Sequence, residues 1–194
     1  MYSRALHIKE TAKGFTLVET LVAIAILLLV IIGPITVAQK GIQNARYSNE
    51  QFTAVFLAQE AIEAVQELRD QVALAAYKQN GGGDTWNWLS SQGVCADGYG
   101  CAFIKGETGP NQFVSCTATA ANSCILKVDG DGNYSNTGTA DSPFTRTVTI
   151  GSLVGGVFTP VTVTVSWSSQ VFNGVTRDIK LQTYLYNHYQ RYGN

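Results

Sequence analysis

The feature that most constrains the fold of this chain is one long apolar segment near its N-terminus. Residues 15–38 read FTLVETLVAIAILLLVIIGPITVA, and Glu19 is the one charged side chain in this stretch. About 20 apolar residues in a helix cross the hydrocarbon core of a bilayer. Residues 39–194 contain no second segment of this kind. The sequence therefore predicts a single membrane-spanning helix over residues 15–38.

The charges beside this segment predict its orientation. The first 14 residues carry Arg4, Lys9 and Lys13 against the single acid Glu10. Cationic flanks stay on the cytoplasmic side of a membrane. We therefore expect a single-pass protein of the cytoplasmic (inner) membrane, N-terminus in and C-terminus out, with everything after residue 38 outside the cytoplasm.

The junction between leader and apolar segment distinguishes it from an ordinary signal. A secretory signal ends in a small-x-small cleavage site, and no convincing one follows here, which favours an uncleaved anchor on hydropathy alone. However, the junction reads Lys13-Gly14-Phe15-Thr16-Leu17-Val18-Glu19. A carboxylate inside an apolar span costs about 2.5–3.5 kcal/mol on insertion scales, so such residues are usually retained for function. This string resembles the type III signal of type IV prepilins and pseudopilins.

The resemblance implies a processing site and an assembly residue. Residues 1–14 would be a leader that prepilin peptidase removes by cutting between Gly14 and Phe15, and Phe15 would become the N-methylated first residue of the mature chain. Glu19 would then pair with the free amine of Phe15 on a neighbouring subunit. The alternative for Glu19 is a tolerated acid near the membrane boundary.

The helical pattern continues beyond the apolar segment. Residues 39–80 read as an amphipathic helix, so we expect one helix from about Phe15 to Gln79. The predicted packing face holds Phe52, Val55, Phe56, Ile62, Val65, Leu68, Val72 and Ala76, and the predicted wet face holds Glu50, Glu60, Glu63, Glu67, Arg69 and Asp70. A coiled coil is an alternative for this half, although no clean seven-residue repeat is sustained through it. Gly33 and Pro34 predict a kink in the apolar half, because proline removes a helical hydrogen bond.

Residues 81–194 predict a head rich in β-structure. Three runs alternate apolar and polar residues, at 144–150, 161–167 and 179–185, and glycine pairs or Asn173-Gly174 separate them. A further strand is expected near Trp86. The predicted fold class is α+β, a long N-terminal helix packed against an antiparallel β-sheet head, which is the arrangement of type IV pilin heads.

Four cysteines, Cys95, Cys101, Cys116 and Cys124, lie in this head. An even number of cysteines in an oxidising compartment favours disulfides, and three connectivities are possible. The local pairs Cys95–Cys101 and Cys116–Cys124 are preferred. A four-thiolate zinc site is the rival, but CxxC spacing is absent.

One loop in the head has the spacing of oxygen-bearing side chains that is typical of a calcium-binding loop. Asp129, Asp131 and Asn133 place oxygen ligands at alternate positions, but an EF-hand would need glycine and glutamate where Tyr134 and Ala140 stand. Some pseudopilin heads bind calcium in loops. The alternative is a simple hairpin turn, and no other metal site is predicted.

Composition excludes several functions. Thirteen Lys and Arg against 14 Asp and Glu give a net charge of -1, so no nucleic-acid partner is inferred. Two histidines, at the two ends of the chain, leave no catalytic or cofactor-binding set, so neither an enzyme nor a cofactor is predicted.

We therefore expect a structural subunit of a type IV pilus-like filament. The segment FLAQEAIEAVQELRD, residues 56–70, resembles minor pilins of the type IV pilus modification class and type II secretion I-subunit pseudopilins. The implied partners are prepilin peptidase, other pilin subunits, an inner-membrane assembly platform and, before assembly, membrane lipid. The chain would end in an extracytoplasmic pilus or pseudopilus. The alternative is an uncleaved, membrane-anchored extracytoplasmic binding protein or adhesin.

Overall fold

The computed structural model describes residues 14–80, 95, 100–107, 112–116, 124–169 and 174–186. The leader residues 1–13, the strand expected near Trp86 and the turn residue Asn173 lie outside this set. The chain divides into two compact units, with the division between Ala45 and Arg46.

One helix, α1, runs from Leu17 to Asn80, so the prediction of a single long helix is confirmed. Gly33 and Pro34 both lie inside α1, and neither residue ends it. The Thr36 hydroxyl donates a hydrogen bond of 2.8 Å to the Gly33 carbonyl. The bend that proline favours at this point stays a prediction.

Within its described residues, the second unit carries a seven-stranded antiparallel sheet. Its strands are β1 (Cys101–Phe103), β2 (Phe113–Ser115), β3 (Ile125–Val128), β4 (Tyr134–Ser135), β5 (Ala140–Ile150), β6 (Phe158–Ser169) and β7 (Val175–Tyr186). The long strands β5, β6 and β7 contain the three alternating runs and form the expected meander. The short strands β1, β2 and β4 lie in segments rich in small and polar residues, where sequence patterns are weak.

Strand β5 is the centre of the sheet. One edge pairs with β6, from Phe144 opposite Trp167 to Ile150 opposite Val161. The other edge pairs with β3 towards its start and with β1 at Val148. The β5–β6 turn contains Gly155 and Gly156 at φ 60° and 73°, the left-handed conformation that tight hairpins require. Every other head strand is therefore tied, directly or through one neighbour, to β5.

The hydrophobic core lies between one face of α1 and one face of the sheet. Alternate residues of the long strands point into it, as the period-two pattern predicts. The sheet contributes Phe144, Val148, Ile150, Val161, Val163, Val165, Trp167 and Leu185, and the helix contributes Ala54, Leu57, Ala58, Ala61, Ala64, Val65 and Leu68.

The packing face of α1 differs in part from the predicted one. Val65 and Leu68 are buried as expected, but Phe52 and Phe56 are 63% and 68% exposed. Small alanine side chains take the contact positions instead, because they let the helix approach the sheet closely. Glu60, assigned to the wet face, is half-buried against the sheet. The side chain of Ala76 lies outside the described set.

Candidate processing and assembly site

The start of α1 is built around a threonine cap. Gly14, Phe15 and Thr16 precede the helix. The Glu19 N–H donates to the Thr16 hydroxyl oxygen at 3.3 Å, and the Thr20 N–H donates to the Thr16 carbonyl at 3.2 Å. Thr16 and Glu19 therefore have the Thr-x-x-Glu spacing of a capping box. This cap was not predicted from the sequence, although its Thr-x-x-Glu spacing is visible there.

Glu19 consequently lies in the first turn of α1, where the helix dipole favours a negative charge. The side chains of Phe15 and Glu19 are both exposed, Phe15 to 79%. The amine that cleavage before Phe15 would create and the Glu19 carboxylate therefore belong to the same short segment at the helix start. Both are accessible to a second molecule.

The apolar part of α1 is uncovered along its whole length. Large apolar side chains from Leu17 to Ile42 are exposed, and none of the most apolar stretch is buried within the protein. Among the described residues, α1 is the one helix long and apolar enough to cross a membrane. An apolar surface of this size is unstable in water and needs lipid or other apolar helices around it.

Comparison with known proteins decides what this segment is. A family model described as the prokaryotic N-terminal methylation motif matches residues 11–33. This motif marks type IV pilin-like prepilins, and the apolar N-terminal helix of the chain fits it. The match covers the junction, the capped helix start with Glu19, and the first part of the apolar helix. No curated protein and no solved structure matches the chain.

The prepilin motif carries consequences for the whole chain. It marks a protein that prepilin peptidase processes and that assembles with other pilins. The exposed apolar helix fits an inner-membrane anchor for such a subunit. The motif indicates a family of pilins, which are structural proteins.

In the second unit, a buried arginine joins α1 to the sheet. Arg146 on β5 is 1% exposed, and its Nη1 donates to Glu60 Oε2 at 2.7 Å and to the Leu57 carbonyl at 3.1 Å. The guanidinium also lies 5.1 Å from the centre of the Phe103 ring. Lys105 Nζ lies 3.0 Å from the other Glu60 oxygen. One carboxylate thus connects the helix to β5 and to the residues just after β1.

This cluster shifts the ionisation of its members. Burial raises the pKa of Glu60, but hydrogen bonds from Arg146 and Lys105 outweigh it, and the pKa lies below its ordinary value. Burial lowers the pKa of Arg146, while the Glu60 carboxylate opposes that change. The Glu60–Arg146 pair was not predicted from the sequence. The one available signal was Arg146 between Phe144 and Val148 on the apolar side of an alternating run.

A second polar contact joins α1 to β6. The indole Nε1–H of buried Trp167 donates to Glu50 Oε2 at 3.3 Å. Together with the Arg146–Glu60 pair, this bond fixes the register of the helix on the sheet, because a slide of one turn would break both.

The structure forms disulfides between Cys95 and Cys101 and between Cys116 and Cys124, the two local pairs. Their Cα atoms are 5.2 and 5.4 Å apart. Cys95 and Cys101 are fully buried, and the Cys95 carbonyl accepts the Ile150 N–H at 2.7 Å. The first disulfide therefore holds the segment before β1 against the end of β5.

The loop with the calcium pattern is a tight turn between β3 and β4. The Asp129 carboxylate accepts backbone N–H groups of Asp131 and Asn133 at 3.0 and 2.8 Å, and the Asn133 amide at 3.2 Å. The hydrogen bonds from Asn133, above all, hold the pKa of Asp129 below its ordinary value. Among the described residues, no cluster of three His, Cys, Asp or Glu has metal-binding geometry. The alternative of a simple hairpin turn accounts for these hydrogen bonds, and calcium binding stays untested.

Proposed function

We propose that this prepilin is a minor pilin or pseudopilin that enters its filament through the N-terminal helix. The observation that carries the proposal is the GFTLVE string, which stands where a capped, fully exposed apolar helix begins. Prepilin peptidase cuts between Gly14 and Phe15, and Phe15 becomes N-methylated. The resemblance of residues 56–70 to the modification-class and I-subunit proteins supports the minor assignment.

Glu19 has the assembly role in this proposal. A carboxylate among apolar side chains in a bilayer lacks a partner, and so does the Phe15 amine of a neighbouring subunit. Pairing between the two subunits removes both penalties and favours extraction from lipid into the filament. Before that step, the head faces the extracytoplasmic side, the apolar helix is anchored in lipid, and the chain meets an inner-membrane assembly platform.

The test is intact mass measurement and N-terminal sequencing of the chain expressed with its prepilin peptidase. We expect a mature chain beginning at N-methyl-Phe15, and we expect Gly14→Val to abolish it. Gly41→Ala is the matched control, since Gly41 is exposed and a side chain there meets nothing within 4 Å. A chain that still begins at Met1 without any substitution would reject the proposal and favour the uncleaved anchored binding protein.

Glu19→Gln separates processing from assembly. We expect this variant to be cut and methylated normally but to remain in the membrane fraction, because the cross-subunit ion pair is lost. Thr16 still caps the helix in this variant. Normal incorporation of Glu19→Gln into filaments would remove the assembly role and leave Glu19 as a first-turn acid that stabilises the helix end.

A further inference from the structure

The face of the sheet that points away from α1 carries an aromatic strip, formed by Phe158 on β6 and by Tyr184 and Tyr186 on β7. These residues alternate with the buried positions of their strands, so they lie on the face opposite to the helix. Tyr184 and Tyr186 are 49% and 45% exposed. The Phe158 ring centroid lies 5.4 Å from that of Tyr184 and 5.7 Å from that of Tyr186. The three rings therefore form one connected surface, and none of them belongs to the core between α1 and the sheet.

A row of uncharged polar side chains lies beside the aromatic strip. Thr149 pairs with Thr162, and Thr162 pairs with Gln182, so the three residues are aligned across β5, β6 and β7. The next pair on the same face is Pro160 with Tyr184, two residues along each strand. This polar row, Thr149, Thr162 and Gln182, therefore places hydroxyl and amide groups next to the aromatic rings.

Gly151 keeps this surface flat at the end of β5. Its N–H donates to the Pro160 carbonyl at 2.8 Å, and a Cβ at this position would lie 2.6 Å from the Pro160 ring. Because Gly151 has no side chain, β5 adds nothing that stands above Pro160. The polar row and the aromatic strip are therefore continuous across the sheet.

This surface carries no charge of its own. Residues 147–164 and 181–186 contain no Asp, Glu, Lys or Arg. The first charged side chains beyond them on this face of β7 are Lys180 and Asp178, and Lys180 Nζ lies 4.0 Å from Asp178 Oδ2. Nucleic acids and anionic lipid surfaces bind to clusters of Lys and Arg. The charge of this surface therefore matches a neutral partner.

We propose that this face of the sheet binds a neutral polysaccharide. The apolar faces of the sugar rings stack on the aromatic strip, and the sugar hydroxyl groups exchange hydrogen bonds with the polar row. Tyrosine suits such a surface, because its ring is a rigid apolar body with a polar tip. A purely apolar partner would instead leave the hydroxyl and amide groups of the polar row without hydrogen bonds, which costs binding free energy.

The inference goes beyond the proposed function and does not depend on it. The aromatic strip and the polar row both belong to the second unit, and neither includes a residue of the processing site. Since α1 covers the other face of the sheet, this face does not compete with the core for the same side chains.

A sedimentation assay tests the proposal with insoluble cellulose and insoluble chitin as the probes. The full chain is purified in a detergent whose head group is not a sugar, and the fraction that sediments with each polymer is measured. We expect sedimentation with at least one polymer, and release by soluble oligosaccharides of that polymer. Heparin-agarose is the anionic control, and we expect it to retain little of the chain.

Variants locate the binding surface. Tyr184→Ala combined with Tyr186→Ala should weaken binding about tenfold, because two stacking rings are lost. Tyr77→Ala is the matched control, since Tyr77 is a 67% exposed tyrosine on α1, and it should bind as the unsubstituted chain does. Tyr184→Phe keeps the ring and should retain most of the binding. Thr162→Val keeps the shape of the side chain but removes its hydroxyl, and it should weaken binding about threefold.

Several results would overturn the proposal. The unsubstituted chain might sediment with neither polymer or be retained only by heparin-agarose, which would reveal charge-driven binding. Equal binding by the double tyrosine variant and by Thr162→Val would place the binding elsewhere, and Thr162→Val alone decides if the double variant unfolds in urea assays. A chain that sediments as expected but is never cut before Phe15 would overturn the proposed function and leave this inference standing.

Discussion

Replacing Glu60 with glutamine tests whether the ion pair with Arg146 fixes α1 on the sheet. Two unit charges about 4 Å apart attract by roughly 4 kcal/mol at an effective dielectric constant of 20. Removing one partner of a buried pair lowers the free energy of unfolding by about 3–5 kcal/mol, because the other charge stays buried. Glu60 is 31% exposed, and Arg146 keeps the Leu57 carbonyl. We therefore expect Glu60→Gln to lower the free energy of unfolding by about 2–3 kcal/mol.

The assay is urea unfolding of the full chain in detergent, with tryptophan fluorescence as the signal that monitors unfolding. Glu63→Gln is the matched control, since Glu63 is an exposed acid one turn along the same helix, and it should change stability by less than about 0.5 kcal/mol. Arg146→Met should lower the free energy of unfolding less than Glu60→Gln does, because Glu60 still pairs with Lys105 and still contacts water. Equal, small losses in Glu60→Gln and Glu63→Gln would refute the reasoning. A larger loss in Arg146→Met would assign the effect to packing.

Three further predictions follow from the same contacts. The pKa of Glu60 is lowered from its ordinary value of 4.5, so the stability that its charge contributes is fully present above that pH and is lost as pH falls through the folded-state pKa. The free energy of unfolding should therefore differ less between pH 6 and a pH below 4.5 in Glu60→Gln than in the unsubstituted chain. Gly138→Ala should destabilise the head by about 1–3 kcal/mol in the same urea assay, because its Cβ would lie 2.9 Å from the Lys127 backbone. Trp167→Phe should lower the free energy of unfolding by about 1 kcal/mol beyond the effect of the volume change, because the hydrogen bond to Glu50 is lost. Glu50→Ala removes the same bond, so the double variant should lose less stability than the sum of the two single losses.

The sequence predicted those parts of the fold whose signal is periodic and long. The end of α1 lies within one residue of the predicted Gln79, and all three alternating runs are strands. The processing motif was equally visible, since Gly14, Phe15 and Glu19 lie within six consecutive residues and need no tertiary contact to be recognised.

The face of α1 was harder to predict, for a physical reason. Hydropathy ranks Phe52 and Phe56 above Ala54 and Ala58, but the sheet selects for close approach, which favours the small residues. Arg146, the partner of Glu60, lies 86 residues away in sequence, so no local sequence pattern indicates the pair. Both errors concern the helix in the head, where packing against a distant segment decides orientation.

The alanine face has a consequence for which substitutions this chain tolerates. A side chain larger than alanine at position 54, 58 or 61 would push α1 off the sheet, so these sites should accept almost no variation in any cell that needs a folded head. The opposite face should accept polar residues freely when selection acts on expression alone, and lose that freedom when selection acts on filaments. A mutational scan read out in both ways would therefore divide a single helix lengthwise into one side constrained by folding and another constrained by its neighbours.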